Sequence, residues 1–340
     1  MTPFVDSTDL TMDGPALAER MDRDGYLFVK GLLPKDELRA LRRTFLELAD
    51  GAGWLNRDHD LMDAVANPDA ACVDPQEPFL KVLRPFYVRE DVQAIKHHPN
   101  IVALFERMFG EQVLVHPLMV IRNIFPQRPD FTTPAHQDYV HIQGTERCYT
   151  AWIPLHDCPV EMGGLQIAAG SHKSGVRDFA VSSGAGGLEV TDPLADRWVS
   201  GDFEAGDAVI FHSLVVHKGS PNTTDRLRQS VDPRFQRASE PVCEVSMRPY
   251  ADMFTWDQVY AGWRSTELQY YWEKQNPTVV PFDRQYYDRR DEMAFAMAEA
   301  GDETARAALM RIVQRDPRPD KVQRANDMLA ALDAARTAAQ

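Results

Sequence analysis

The sequence lacks the features that mark several large classes of protein. Its four cysteines, Cys72, Cys148, Cys158 and Cys243, form no CxxC pair, which argues against a zinc ribbon or a disulfide framework and favours reduced thiols. The formal net charge is -14 and no basic stripe is present, so nucleic acid is not an expected partner. No uncharged apolar run reaches the length of a membrane span, and the first residues, MTPFVDSTDL, do not resemble a signal peptide. We therefore expect a cytoplasmic protein without a membrane partner.

Short strands are expected in the middle of the chain. Residues 14–50 read as helix, short strand and helix, with Pro34 and the acidic pair Asp36 and Glu37 marking the start of the second helix. From residue 112 onward, runs of aliphatic and aromatic residues alternate with turn residues. The expected strands are 113–125, 149–155, 164–168, 208–217 and 227–235. Several short strands at this spacing favour a sandwich or a barrel over a parallel βαβ sheet.

The region after residue 250 has a different composition. Residues 254–282 are rich in tryptophan and tyrosine, and residues 285–338 have the pattern of two helices broken near Asp316–Pro319. We expect residues 1–250 to form the main domain. Residues 251–340 are expected to pack on that domain or to form an interface in a homo-oligomer, with the last helices nearer to a partner or to solvent.

The stretch HQDYVH, residues 136–141, has the residue types of a metal site. In an extended segment His136 and Asp138 point the same way, whereas His141 points the opposite way. A later strand over 211–217 would direct His212 and His217 to opposite faces, so each strand offers one histidine. Two imidazoles and one carboxylate suit non-haem Fe(II), although zinc also accepts this set. The alternative is a polar strand without a metal.

Two arginines follow the second histidine. Arg226 and Arg228 occupy alternate positions of the strand expected after the turn at Ser220–Asn222, so simple alternation places both on one face. An inward arginine would pair with the distal carboxylate of a dicarboxylic acid. The other possibility for either arginine is a solvated strand end. Alternation alone does not decide which of the two reaches inward.

Four segments resemble the phytanoyl-CoA dioxygenase family of Fe(II)- and 2-oxoglutarate-dependent oxygenases. They are DGYLFVKGLLPKDELRALR at 24–42, HQD at 136–138, TAWIPLHDCPVEMGGLQIAAGSHK at 150–173 and GDAVIFHSLVVHKGSPNTTDRLRQS at 206–230. The resemblance covers roughly residues 15–240, and the order of the segments is specific. It implies a mainly β fold with flanking helices: a double-stranded β-helix, or jelly-roll, cupin-like barrel, with a C-terminal helical extension.

The resemblance also implies a reaction and a set of site residues. The enzyme would be a dioxygenase that hydroxylates an unactivated C–H bond of a small molecule, using O2 and 2-oxoglutarate and releasing succinate and CO2. His136, Asp138 and His217 are implied as the catalytic iron ligands, and Arg228 as the 2-oxoglutarate arginine. Trp152 lies where the family often has a tryptophan near the co-substrate, with a core aromatic as the alternative. Ser230 follows two residues after Arg228 on the same strand face, so it is expected to add a hydrogen bond to the same carboxylate of the co-substrate.

Other functions remain open at this stage. A cupin-like metal-dependent isomerase or hydrolase would have no use for Arg228, and a non-catalytic jelly-roll binding protein would need neither Arg228 nor the metal ligands. The sequence does not identify the substrate. It contains no basic run for the phosphates of coenzyme A, which favours a free small molecule over a coenzyme A thioester.

Overall fold

The computed structural model describes residues 2–74, 76–129, 132–182 and 187–338. Within these ranges the strands are β1 (Thr2–Pro3), β2 (Tyr26–Val29), β3 (Val113–Ile124), β4 (Tyr149–Pro154), β5 (Leu165–Ala168), β6 (Phe179–Val181), β7 (Leu188–Val190), β8 (Trp198–Ser200), β9 (Ala208–His212), β10 (His217–Gly219), β11 (Arg228–Arg237), β12 (Val242–Cys243) and β13 (Val279–Val280). The helices are α1 (Gly14–Asp24), α2 (Lys35–Gly51), α3 (Glu77–Tyr87), α4 (Glu90–Ala94), α5 (Pro99–Phe109), α6 (Tyr139–Ile142), α7 (Trp256–Tyr260), α8 (Gln285–Glu299), α9 (Arg306–Arg315) and α10 (Pro319–Ala338).

Most of the strands belong to two sheets. The larger sheet has the order β2-β9-β4-β11-β3, and all its neighbouring strands are antiparallel. The smaller sheet has the order β1-β8-β5-β10, in which only the β1–β8 pair is parallel. Two further pairs, β6–β7 and β12–β13, stand apart. Among the described strands, no ladder joins the two larger sheets into a closed barrel.

Alternation along the strands builds two apolar layers, one on each face of the larger sheet. Phe28, Trp152 and Phe211 pack on one face, together with Ile167 and Val199 of the smaller sheet. The residues next to Phe28, Trp152 and Phe211 in sequence point to the other face of the larger sheet, where they contact helices α1, α2, α3 and α5. The order of layers is therefore helices, larger sheet and smaller sheet, because each strand of the larger sheet is buried on both faces.

The N-terminal helices begin and end where local sequence signals place them. The side chain of Asp13 accepts a hydrogen bond from the backbone N–H of Ala16 and caps α1. Gly25 ends this helix with φ of 77°, and a Cβ there would lie 2.5 Å from Nδ1 of His172. The expected helix start at Pro34 is confirmed, with Asp36 and Glu37 in the first turn of α2.

Three details differ from the expectations. The segment 208–217 is not one strand, since β9 ends at His212 and β10 begins at His217 after a turn. The HQDYVH stretch is not extended throughout, because α6 begins directly after Asp138. The helices hold more of the described residues than the strands do, so the expectation of a mainly β chain is too narrow.

The C-terminal region contains three long helices rather than two. The break near residues 316–319 is confirmed, but a second break around Gly301 separates α8 from α9. These helices share a small apolar cluster that includes Phe295, Leu309 and Leu332. The aromatic segment before them packs on the main helical core. Trp263 donates a hydrogen bond to the carbonyl of Val88, 2.8 Å away.

In the part of the chain that the structure describes, we find no helix whose length and apolar character would let it cross a membrane.

Candidate active site

Two histidines and one aspartate converge between the sheets. The backbone N–H groups of His136 and His217 each donate to the carbonyl of the other residue, at 2.9 and 3.0 Å. This antiparallel bridge sets the two rings side by side, with centroids 4.1 Å apart. Asp138 follows two residues later, at the start of α6, and all three side chains are buried. One ligand atom from each residue lies within 4.8 Å of the other two.

Backbone carbonyls determine which nitrogen of each ring carries the proton. Nδ1 of His136 lies 2.8 Å from the carbonyl oxygen of Pro134, and Nδ1 of His217 lies 3.1 Å from that of Val215. A carbonyl can only accept, so Nδ1 is the donor in both rings, and in the neutral form of such a ring Nε2 carries the lone pair that a metal needs. Both Nε2 atoms face Oδ1 of Asp138, at 3.7 and 3.8 Å. This arrangement presents two nitrogens and one oxygen to a single point.

The second oxygen of Asp138 is already held. Thr150 of β4 donates to Oδ2 at 2.6 Å, and Nη2 of Arg234 on β11 lies 3.1 Å from the same atom. Burial alone would raise the pKa of Asp138, but Arg234 and the two histidines hold that pKa well below its ordinary value. Burial also lowers the pKa of His217 to about 3. The site therefore contains an ionised carboxylate and a neutral imidazole, which are the forms that bind a metal.

The donor set fits a divalent metal ion. Nε2 of each histidine and Oδ1 of Asp138 lie close enough together to bind one cation as three separate ligand atoms. A 2-His-1-carboxylate set leaves positions open for other ligands and is characteristic of non-haem Fe(II) oxygenases. The supporting contacts from Thr150, Arg234 and the carbonyls are of the kind that orient metal ligands. The site thus defines a candidate mononuclear metal centre of the oxygenase type.

Arg228 is a buried cation near this centre. Its Nη1 donates to Oγ of Ser230 at 3.1 Å, and its guanidinium carbon lies 5.5 Å from the ring centroid of Trp152. Its Nε is buried without a hydrogen-bond partner, and no carboxylate of the described residues lies within ion-pair distance of it. Burial lowers the pKa of Arg228, because the charge has left water without a paired anion. The site is thus suited to an anionic guest.

Arg226 has a different position. It precedes β11, which begins at Arg228, so strand alternation does not relate the two residues. Its side chain is 48% exposed and lies 3.7 Å from the neighbouring Asp225. The ambiguity left by the sequence is therefore resolved geometrically: Arg228 is directed inward and Arg226 is directed to solvent.

One cavity connects these groups. It is lined by His136, Asp138 and His217 together with Arg228 and Trp152. Ser230 adjoins it through Arg228 and donates to Oδ1 of Asp232 at 3.2 Å. The structure thus brings together all six residues that the sequence proposed for the site.

Two further residues of the site were not predicted. Thr150 and Arg234 hold Asp138, yet neither stood out in the sequence. A signal existed for Arg234, because Arg228, Ser230, Asp232 and Arg234 are alternate residues of β11 and form an unusual polar row on a buried strand. Nothing in the sequence distinguishes Thr150 from the other threonines.

A larger cavity of about 770 Å³ opens beside the metal centre. His136 and Asp138 lie in its wall, together with residues of β3 and of the C-terminal helices α8 and α9. The hydroxyl of Tyr287 on α8 is hydrogen-bonded to Nδ1 of His141, 3.0 Å away. The ring centroid of His141 lies 6.1 Å from that of His136. The C-terminal region therefore reaches the neighbourhood of the metal centre.

A second group of carboxylates has metal-ligand spacing but is filled by cations. Asp288, Asp291 and Asp316 lie close together at the C-terminal helices. Nζ of Lys321 contacts all three, at 2.9, 2.6 and 3.5 Å. Arg318 adds contacts to Asp288 and Asp316 at 2.5 and 2.8 Å. This cluster is therefore an ion-pair network that joins α8 to α10.

Comparison with known proteins agrees with the class that the site defines. A sequence model of the family described as phytanoyl-CoA dioxygenase (PhyH) matches residues 21–230. The chain is 31% identical over 255 residues to the 1-deoxypentalenic acid 11-beta-hydroxylase of Streptomyces exfoliatus, covering 70% of this chain and 87% of that protein. It is 23% identical over 257 residues to phytanoyl-CoA dioxygenase domain-containing protein 1 of Bos taurus, covering 64% and 87%.

Solved structures give more distant likenesses. The non-heme monooxygenase ThoJ in its apo form is 18% identical with a TM-score of 0.49, covering 93% of this chain and 99% of that one. The epimerase SnoN, in complex with Fe3+, alpha ketoglutarate and nogalamycin RO, is 24% identical with a TM-score of 0.46, covering 66% and 84%.

The chain belongs to the phytanoyl-CoA dioxygenase family. It is an oxidoreductase, a dioxygenase of the class that depends on iron and 2-oxoglutarate, as the sequence motifs implied.

Proposed function

We propose that this protein hydroxylates an unactivated C–H bond of a small organic molecule, with His136, Asp138 and His217 as the iron ligands. The observation that carries the proposal is the convergence of two imidazole Nε2 atoms and one carboxylate oxygen on a single point. The carboxylate ligand favours hydroxylation over halogenation, because a halogenating centre of this family has a small residue at that position. The two stacked sheets support a jelly-roll arrangement around the centre.

We further propose that Arg228 binds the distal carboxylate of 2-oxoglutarate. A charge-assisted pair between a buried guanidinium and a carboxylate is strong and directional. Ser230 is 3.1 Å from Arg228 and would help to position the same carboxylate. Trp152 covers the guanidinium and excludes water from the pair. Bound iron would supply the oxidation, in which O2 is reduced as 2-oxoglutarate becomes succinate and CO2 and the substrate C–H bond becomes C–OH.

The chain's own residues then orient and protect the reaction. Thr150 and Arg234 hold Oδ2 of Asp138 so that Oδ1 faces the two histidines. The carbonyls of Pro134 and Val215 fix the two rings in the tautomer that can bind a metal. Because these groups are buried and preorganised, ligand binding requires little rearrangement. Water is excluded by the apolar layer that Trp152 and Phe211 form between the sheets.

We propose that the substrate is a compact small molecule. Two relatives of Streptomyces are named as hydroxylases of 1-deoxypentalenic acid, and the large cavity has a volume of about 770 Å³, within the usual range for sites that enclose a small ligand. We favour such a free molecule over a coenzyme A thioester. In the same proposal, residues 1–250 form the oxygenase domain, and residues 251–340 complete the wall of the substrate cavity, whether or not they also mediate self-association.

Succinate release tests the proposal. The purified protein with Fe(II), ascorbate, O2 and 2-oxoglutarate should form succinate, and His217→Ala should abolish this activity. His212→Ala is the matched control, because it is a half-buried histidine whose ring contacts Tyr149 and His172 rather than Asp138. Succinate release by His217→Ala at the wild-type rate, or none by the wild-type protein, would contradict the proposal.

A further inference from the structure

His141 belongs to the HQDYVH stretch but is not used by the metal centre. Its backbone N–H donates to the carbonyl of Asp138 at 2.9 Å, which closes the single turn of α6. Residues three apart in a helical turn lie on one side, so His141 does not point away from Asp138 as a continuous strand would require. Its ring centroid lies 6.1 Å from that of His136, but among the described residues it is outside the group with metal-ligand spacing. His141 is therefore beside the metal centre without being one of its ligands.

Two hydrogen bonds hold the end of α6 against the start of the C-terminal helices. Nε2 of Gln143 donates to the carbonyl of Asp283 at 2.7 Å, and Oε1 of Gln143 accepts from the backbone N–H of Asp283 at 2.8 Å. Gln143 follows α6 directly and is buried, and Asp283 lies two residues before α8. This reciprocal contact fixes Tyr287, in the first turn of α8, relative to His141.

Tyr287 determines which nitrogen of His141 carries the hydrogen. Burial lowers the pKa of His141 to about 3, so the ring is neutral and has one N–H group. The Tyr287 hydroxyl lies 3.0 Å from Nδ1. Because a phenol is a stronger acid than a neutral imidazole, and an imidazole nitrogen is a stronger base than a phenol oxygen, the hydroxyl donates and Nδ1 accepts. The hydrogen of the His141 ring is therefore on Nε2.

Nε2 of His141 opens to the large cavity. His141 and Tyr287 both line this cavity, together with His136 and Asp138. Nε2 has no hydrogen-bond partner among the residues that the structure describes, and those residues do not enclose it. A donor on a partly desolvated wall costs free energy until a ligand or a water molecule accepts from it. The pair of His141 and Tyr287 therefore presents one neutral donor to a molecule in the cavity, beside the metal centre.

We propose that Nε2 of His141 donates a hydrogen bond to an uncharged carbonyl or hydroxyl oxygen of the substrate, and that Tyr287 is the positioning residue that keeps the hydrogen on Nε2. This assignment rests on the proposed hydroxylase function and specifies its substrate class. Apolar side chains such as Val120, Ile121 and Phe282 form other parts of the wall, so the class is a compact, largely apolar molecule with an oxygen acceptor. Carbon atoms close to that oxygen are then presented to the metal centre.

Nitrogen NMR tests the tautomer without any substrate. The protein is isotopically labelled at the ring nitrogens of histidine and loaded with 2-oxoglutarate and with Zn(II), which accepts the same ligands and has no redox chemistry. The His141 signals are assigned by their absence in His141→Gln, and they should show a hydrogen on Nε2 and none on Nδ1. Tyr287→Phe should populate both tautomers. Tyr286→Phe is the matched control on the same helix and should leave the signals unchanged, because Tyr286 contacts Phe179 and does not line the cavity.

Ketone binding tests the donor. The probes are camphor, norcamphor and cyclohexanone, each paired with the hydrocarbon in which CH2 replaces the C=O group, and binding to the same Zn(II)- and 2-oxoglutarate-loaded protein is measured by thermal unfolding. At least one ketone should bind and shift the Nε2 signal of His141. His141→Phe should weaken its binding about 3- to 10-fold, the range for one neutral hydrogen bond, and change hydrocarbon binding by less than about twofold. His141→Gln should restore part of the ketone affinity, since it keeps an N–H donor.

The outcomes separate this inference from the proposed function. The inference is overturned if the hydrogen is on Nδ1 of His141 in the wild-type protein, if none of the three ketones binds, or if His141→Phe binds ketones as tightly as the wild-type protein does. An unchanged tautomer in Tyr287→Phe would overturn the role of Tyr287. Absence of succinate with Fe(II), O2 and 2-oxoglutarate would contradict the hydroxylase function, whereas the measurements with Zn(II) require no turnover and would still decide the role of His141.

Discussion

Replacement of Arg228 by glutamine should weaken 2-oxoglutarate binding severely. Arg228 is 6% exposed, and in the described structure its charge has no carboxylate partner. Loss of one member of a buried, hydrogen-bonded charge pair costs about 2–5 kcal/mol. At about 1.4 kcal/mol per factor of ten, this corresponds to a Kd for 2-oxoglutarate that rises about 30-fold to several thousand-fold.

Arg226→Gln is the matched control for this experiment. This substitution removes the same charge two residues earlier, but the side chain of Arg226 is 48% exposed and pairs with the exposed Asp225. An exposed pair of this kind contributes about 0–1 kcal/mol, so the Kd for 2-oxoglutarate should change less than about fivefold.

The measurement is an anaerobic titration of 2-oxoglutarate into the Fe(II)-loaded protein, with thermal unfolding as a second readout. Without 2-oxoglutarate, Arg228→Gln should unfold at the wild-type temperature or above it, because the variant no longer buries an unpaired charge. Saturating 2-oxoglutarate should stabilise the wild-type protein but not the variant. Equal effects of the two substitutions, or a larger effect of Arg226→Gln, would refute the reasoning.

Three further predictions concern the support of the site and the stability of the fold. Thr150→Val removes the hydroxyl that donates to Asp138 and should weaken metal binding about 10- to 100-fold in an equilibrium titration, whereas Thr150→Ser keeps the hydroxyl and should not. If Thr150→Val binds the metal as tightly as Thr150→Ser does, Thr150 does not support the metal site. Lys96 is fully buried, and burial lowers its pKa to about 7 from 10.5. Between these two pH values the unfolded chain therefore binds one more proton than the folded protein does. The free energy of unfolding should rise with pH in that window by up to about 1.4 kcal/mol per pH unit. Urea unfolding at several pH values should show that Lys96→Met loses this slope, and an unchanged slope would exclude Lys96 as its source. Lys321→Met leaves the buried Asp291 without one of its two cations and should lower the free energy of unfolding by about 3 kcal/mol. The control Arg336→Met removes one member of an exposed pair and should lower it by less than about 1 kcal/mol. Equal losses in the two variants would contradict a stabilising role of the ion pairs between α8 and α10.

The three proposed metal ligands could be recognised in the sequence because their residue types and spacing are those of a metal site. His136 and Asp138 are two residues apart, and His217 lies in a motif whose order along the chain is specific. Asp138 stands at the start of α6 rather than within a strand, and it is the backbone bridge between His136 and His217 that brings the rings together.

The supporting residues were harder to predict because their partners are distant in sequence. Arg234 lies 96 residues from Asp138, and Thr150 lies 12 residues from it. A buried arginine on a strand indicates that some carboxylate is near, but only the folded structure, in which Arg234 pairs with Thr150 across β11 and β4 and both contact Asp138, shows which one. The register of two strands is set by their packing and not by either strand alone.

The role of the C-terminal helices could not be predicted from their amphipathic pattern. That pattern indicates that one face is buried, but it does not identify what covers the face. The structure shows the aromatic segment packed on the main core and α8 and α9 in the wall of the large cavity. Self-association through this region stays a prediction, which the mass of the protein in solution would test.

The central claim is that His136, Asp138 and His217 hold one iron ion, and metal stoichiometry tests it most directly. Among the residues that the structure describes, two groups have metal-ligand spacing, the second being Asp288, Asp291 and Asp316. Anaerobic titration with Fe(II) should give one tightly bound ion per chain in the wild-type protein and in Asp288→Asn, and none in His217→Ala. Retention of the ion by His217→Ala together with its loss from Asp288→Asn would contradict the account.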